Sequence, residues 1–180
     1  MTQIVLFNKP FQVISQFSPE GDKKTLADFI DIKEVYPAGR LDYDSEGLML
    51  LTDNGILQAR LTSPKNNKYK TYLVQVEGEV ERKALIRLQR GVDLKEGRTL
   101  PARVKKIEQP DFLWERHPPI RERKSIPTCW LEVQIREGKN RQVRRMTAAV
   151  GHPALRLIRT AIDDYQLDGL QPGQYIVKQD

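Results

Sequence analysis

Cysteine, histidine and long apolar runs are scarce in this chain, and each scarcity closes off a class of function. Cys129 is the only cysteine, so no disulfide framework exists and a cysteine-built zinc site lacks ligands. Set between Thr128 and Trp130 in a strand-like run, it reads as a buried structural thiol rather than a reactive one. His117 and His152 are the only histidines and both precede proline, a thin supply for a metal centre. Nowhere do eighteen apolar residues run together, and Met1 to Pro10 carries no charged leader followed by an apolar core. That points to a cytoplasmic protein with no membrane partner. No low-complexity tract, internal repeat or interdomain linker interrupts the chain.

What is present suits a folded domain. The 180 residues, 39% of them hydrophobic, are enough to bury a real core, as one domain over 1–180 or as two small lobes sharing one sheet. Thirty Lys plus Arg against twenty-four acids leave a net charge of +6, with the cations clustered. Such a field favours a polyanionic partner, although a merely soluble basic protein has the same balance.

Periodicity gives the elements. Ile4–Phe7 is a short apolar strand ending at Lys9-Pro10, and Gln12–Gln16 is placed to pair with it. Thr25–Ile30 reads as a helical turn or two. Pro37 to Gly47 is a turn-rich loop that empties into the apolar run Leu48–Leu51, and Asp53-Asn54-Gly55 marks another turn. Ile56–Leu61 reads as a short helix. Tyr69–Val76 alternates as a strand with Lys70, Tyr72, Val74 and Val76 on one face. Glu81–Arg90 is an amphipathic helix stopped by Gly91, and Arg103–Glu108 and Trp130–Ile135 are strands. Asn140 is positioned to cap a helix running to Val150, with Val143, Met146, Thr147 and Val150 on its apolar stripe. Strands at Leu155–Ile162 and Tyr175–Val177 close the chain. Strands outnumber crossover helices, and many connections are too short for parallel pairing, so the fold class is mixed α+β around a largely antiparallel sheet.

Three segments combine charge, turns and adjacency to apolar strands. In Gly39-Arg40-Leu41-Asp42-Tyr43-Asp44-Ser45-Glu46-Gly47, the alternating carboxylates suit a divalent metal, a solvated acidic turn, or a helix cap by Asp42. In Lys70-Thr71-Tyr72, a tyrosine on the buried side of a strand needs a partner for its hydroxyl, which either the core or a site supplies. In Glu137-Gly138-Lys139-Asn140-Arg141-Gln142-Val143-Arg144-Arg145-Met146, four cations stand within seven residues at a helix amino terminus. They repel one another and oppose the helix dipole unless anions answer them. Phosphates or a buried carboxylate would do so. A solvated basic face suits Arg141 and Arg145 but is less natural for Arg144, beside the apolar stripe.

In this order, the three segments resemble the pseudouridine synthases of the group comprising the ribosomal small-subunit synthase A and the large-subunit synthases B, E and F. The likeness spans nearly the whole chain, from Lys9-Pro10 to Leu157-Ile158-Arg159. Gly39 to Leu48 corresponds to the group's aspartate motif, Lys70-Thr71-Tyr72-Leu73-Val74 to its tyrosine motif, and Gly138 to Met146 to its basic helix. Most members carry a small basic RNA-binding domain ahead of the catalytic one, and here the sequence starts directly at the catalytic part. With the stretch Pro118 to Pro127, that favours the E branch, whose substrate is one uridine in 23S ribosomal RNA.

The resemblance implies a pseudouridine synthase fold with two lobes around a central cleft, no cofactor, no metal, and a monomer. It implies that Asp42 is the nucleophile acting on a flipped-out uridine, that Arg144 is its ion-pair partner, and that Tyr72 is the pocket tyrosine, stacking on the base or moving a proton. Leu41, Val74 and Leu157 are candidate dry walls, or ordinary core. Lys9, Arg40, Lys70, Lys139, Arg141 and Arg145 are candidate RNA contacts. Arg121, Arg123 and Lys124, on a Pro-rich loop near Trp114 and His117, suit an RNA-gripping arm or a plain surface loop. Two other readings compete: a ribosome-assembly factor that binds ribosomal RNA without chemistry, and a metal-dependent nuclease using Asp42, Asp44 and Glu46.

Overall fold

The computed structural model describes residues 2–121 and 125–179. In chain order the strands and helices begin with β1 (Gln3–Lys9), β2 (Tyr36–Pro37), β3 (Glu46–Thr52), α1 (Gly55–Thr62) and β4 (Lys70–Glu77). Next come α2 (Arg82–Arg90), β5 (Asp93–Leu94), β6 (Gly97–Arg98), β7 (Arg103–Ile107) and β8 (Thr128–Ile135). The last are α3 (Gln142–Ala149), β9 (Ala154–Ile162), β10 (Tyr165–Gln166) and β11 (Tyr175–Gln179). Short 3-10 turns lie at Leu26–Asp28 and Pro64–Asn66. The class is α+β with a mostly antiparallel sheet. The chain forms two compact units, one made of 1–68 and 159–180, the other of 69–158.

In the first unit the strands run in the order β11-β1-β3-β9, with β2 added to β3 and β10 to β9. Every residue of β3 is buried, because neighbours pair on both edges and its apolar run, Leu48 to Leu51, supplies both faces. Val5, Phe7, Met49 and Leu51 form one core face with Leu26, Ile30, Val35 and Leu41. Truncating such a residue costs about 2–5 kcal/mol. Asn54 starts α1, its side-chain oxygen accepting from the Ile56 and Leu57 amides at 2.9 and 3.2 Å. The expected strand at Gln12–Gln16 is absent. Gln12 takes a left-handed conformation (φ +61), and the Lys9 ammonium holds the Pro10 and Val13 carbonyls at 2.8 Å each. Val13 makes a single parallel bridge with Lys24.

In the second unit the order is β9-β4-β8-β7, with β5 and β6 forming a small hairpin. Tyr72, Val74 and Val76 of β4 pack with Leu131, Val133, Val143, Met146 and Leu157, the face that the alternation of β4 predicts. Cys129 is buried in the same cluster. The helix expected from Asn140 to Val150 is one residue shorter at each end. Its cap is Arg141, in a left-handed conformation (φ +52) and with no side-chain cap. The turn is closed instead by Gln142, whose side-chain oxygen accepts from the Lys139 amide at 3.2 Å and whose own amide donates to the Lys139 carbonyl at 3.1 Å. Among the described residues no helix is long and apolar enough to cross a membrane.

Candidate active site

The aspartate loop belongs to the first unit and is held tightly on both sides of Asp42. The Ser15 hydroxyl accepts from the Leu41 amide at 3.1 Å and donates to the Leu41 carbonyl. The Ser45 amide donates to the Asp42 carbonyl at 3.0 Å, and the Gln12 amide to the Tyr43 carbonyl at 2.8 Å. Leu41 is buried in the core while Asp42 is half-buried. A carboxylate on so restrained a backbone is aimed rather than free to swing, as a nucleophile requires. Arg40 is exposed, reaching only Gln16 at 3.5 Å.

Beneath the loop lies a buried charged layer. Lys9, Glu46 and Arg159 are 0%, 2% and 5% exposed, and the Arg159 Nε donates to the Leu48 carbonyl at 2.9 Å. Burial pushes the Lys9 ammonium down to about 7, against the upward pull of Glu46, Asp44 and Asp42. Lys9 is therefore not the RNA contact expected of it: its ammonium is sealed inside and committed to two carbonyls. Gly47 lets β3 and β9 meet at this layer. Its φ is +112, and a Cβ there would lie 2.1 Å from the Arg159 carbonyl oxygen.

The tyrosine and basic segments belong to the second unit. Tyr72 is 9% exposed and sits within the core cluster. Lys70, Lys139 and Arg144 are half-buried, and Arg141 is exposed. Glu137 organises the run between β8 and α3: its carboxylate accepts from the Leu100 amide at 2.6 Å and the Gln142 side-chain amide at 2.9 Å, and Lys139 lies 4.0 Å away. Arg145 corrects another expectation. Its guanidinium forks onto Glu96 at 2.7 and 2.8 Å and also donates to the Asn140 carbonyl, so its task is internal rather than phosphate binding. It holds the Glu96 carboxyl below the usual carboxylate range.

Of the proposed gripping arm, Arg121 is exposed and Arg123 and Lys124 lie outside the described residues. Trp114 is not a free aromatic: it packs against Leu73, Trp130 and Ile158, and Arg156 donates to its carbonyl at 2.9 Å. The wall candidates Leu41, Val74 and Leu157 are all buried in core clusters. Among the described residues no group of three or more His, Cys, Asp or Glu is placed to hold a metal ion. Ser15, Glu137 and Arg159 escaped the sequence reading. Only Arg159 left a signal, a cation inside an otherwise apolar strand that had to find a buried acceptor.

Comparison with known proteins agrees with this layout. The family described as RNA pseudouridylate synthase matches residues 3–149. A ribosomal large subunit pseudouridine synthase E of Vibrio vulnificus is 58% identical over 173 residues, covering 96% of this chain and 74% of its own. Its namesake in Xanthomonas campestris is 56% identical over 176 residues, covering 97% and 94%. A crystal structure of a pseudouridylate synthase superposes with a TM-score of 0.79 at 31% identity, covering 99% of this chain and 71% of that one. With the family matched from β1 to the end of α3, through both the aspartate loop and the basic helix, the chain belongs to the RNA pseudouridylate synthases.

Proposed function

We propose that this protein converts one uridine of 23S ribosomal RNA to pseudouridine, working as a monomer in the cytoplasm, with Asp42 as nucleophile, Arg144 as its ion-pair partner and Tyr72 as the pocket tyrosine. The observation that carries the reading is the aspartate loop itself: a half-buried carboxylate whose flanking backbone is pinned by Ser15 and Gln12. Identity of 56–58% to large subunit synthases E over nearly the whole chain supports the choice of RNA.

The reaction breaks the bond between uracil N1 and C1′, turns the base, and joins C5 to C1′. The C5 hydrogen leaves as a proton and N1 gains one, so nothing is oxidised and no group donor is needed. Asp42 attacks the nucleoside and divides one hard step into easier ones. The uridine must leave its stack to reach the carboxylate, at a cost of roughly a few kcal/mol that cationic contacts to the backbone offset. If Arg144 pairs with Asp42, removing either charge leaves the other unpaired at about 3–5 kcal/mol.

Two experiments test this. Site-resolved mapping of ribosomal RNA from a deletion strain should show one pseudouridine missing from 23S RNA and restored by the wild-type protein. An unchanged map would favour an assembly factor without chemistry. In vitro, Asp42→Asn should retain RNA binding and lose product formation, while EDTA leaves the wild type active. Product from the variant would remove Asp42 from the mechanism.

A further inference from the structure

A second cationic site lies in the second unit, away from every residue given a chemical role above. Arg87 and Arg90 stand three residues apart in the last turn of α2, so they emerge side by side. Gly91 then turns the chain at φ +104, and a Cβ there would come within 2.4 Å of the Thr99 carbonyl oxygen. The β5–β6 hairpin thus folds hard against the helix end. The Val92 amide donates to the Thr99 hydroxyl at 2.8 Å, the Thr99 amide to the Val92 carbonyl at 2.9 Å, and the Ala102 amide to the Gln89 carbonyl at 3.0 Å. Arg98 comes back across Gly91 from the hairpin, its Nε 3.5 Å from where that Cβ would lie.

These pieces enclose a cavity of about 360 Å³ walled by Arg87, Arg90 and Arg98, with Asp93 as its one acid and Ile86, Val92 and Ala149 supplying apolar surface. Asp93 lies 3.5 Å from Arg98, which leaves two cations in excess. The dipole of α2 favours Arg87 and Arg90 at its carboxyl end. It does not account for Arg98, which arrives from another element. Guanidiniums converging on one hollow repel each other unless an anion sits among them, and their planar forks suit phosphate oxygens.

We propose that this pocket binds a backbone phosphate of the RNA substrate, as an anchoring site separate from the base pocket. The proposal rests on RNA being the substrate. It adds a place where the strand is gripped without its sequence being read.

The test compares Arg87→Gln/Arg90→Gln, Arg98→Gln and a control, Arg82→Gln, whose side chain shares α2 but does not line the cavity. RNA binding is measured across a salt series and pseudouridine formation under single turnover. The pocket predicts that the double variant weakens RNA binding by roughly five- to thirtyfold. Its salt slope should fall by roughly 1.4–1.8, with the saturated rate unchanged. Arg98→Gln should show a smaller effect of the same kind, and Arg82→Gln none. Equal weakening by Arg82→Gln would mean diffuse charge and overturn the site, as would no effect in either pocket variant. Uridine monophosphate is the small-anion probe: thermal stabilisation that depends on Arg87 and Arg90, with RNA binding unaltered, would assign the pocket to a free nucleotide and reject the RNA reading. A wild type that binds RNA but makes no pseudouridine would undo the proposed function while leaving the binding comparison intact.

Discussion

The Ser15 hydroxyl closes on both polar groups of the Leu41 peptide, accepting from its amide and donating to its carbonyl. Ser15 and Leu41 are each 5% exposed, so water cannot replace either bond. Ser15→Ala should cost about 1–3 kcal/mol of stability, as buried groups lose their partners. It should also lower the single-turnover rate by roughly tenfold or more, because misplacing a nucleophile slightly is expensive, with RNA affinity unchanged. Denaturation curves and rapid-quench assays separate the two effects. A destabilised variant with a normal rate would show that the loop is aimed by its other bonds.

Gly47 has no room for a methyl group, since its Cβ would strike the Arg159 carbonyl at 2.1 Å and its φ is +112. Gly47→Ala should therefore destabilise by roughly 3 kcal/mol or more, through steric displacement plus an unfavourable backbone conformation. A thermal midpoint close to the wild type would contradict the tight β3–β9 approach.

Lys9 gives the pH prediction. Unfolded, its ammonium keeps its proton to its ordinary value of 10.5, whereas in the fold burial releases that proton near 7. Between those limits the unfolded state carries more protons, so this residue makes stability rise with pH by up to about 1.4 kcal/mol per unit. Below 7 both states are charged and its contribution is flat. The neutral amine still has two N–H groups for the Pro10 and Val13 carbonyls. Denaturant midpoints at pH 7, 8 and 9 should climb more steeply for the wild type than for Lys9→Met. Parallel curves would mean that Lys9 stays charged in the fold.

Glu137→Ala leaves the Leu100 amide and the Gln142 side chain without their shared acceptor. The expected cost is about 1–3 kcal/mol. Because the same carboxylate organises the Lys139–Arg141 turn, RNA affinity should fall as well. Glu137→Gln, which keeps an oxygen acceptor, should recover part of both. Loss of stability without loss of affinity would separate this turn from RNA binding.

How far these features could be read beforehand depended on the range of the interaction. The alternation of β4 and the glycine stop after α2 are local patterns, and the structure follows them closely. Lys9 is different. A lysine before proline looks like a surface residue, and only Glu46 and Arg159, far away along the chain, turn its site into an interior one. Arg145 was misread for the same reason, because its partner Glu96 lies on a separate hairpin. The Gln12–Gln16 segment failed as a strand because the Lys9 side chain claims the Val13 carbonyl.

The division of the chain also bears on its synthesis. The first unit is assembled from both ends of the polypeptide, and β1 carries β11 along one edge from Gln3↔Gln179 to Phe7↔Tyr175. On a translating ribosome the inner stretch 69–158 is complete while β1 still waits for that companion. Until the closing strand emerges from the exit tunnel, Ile4 to Phe7 offer an open, sticky edge. Vectorial synthesis therefore makes the first residues translated among the last to be sheltered, and the nascent chain is most exposed to misassociation just before its release.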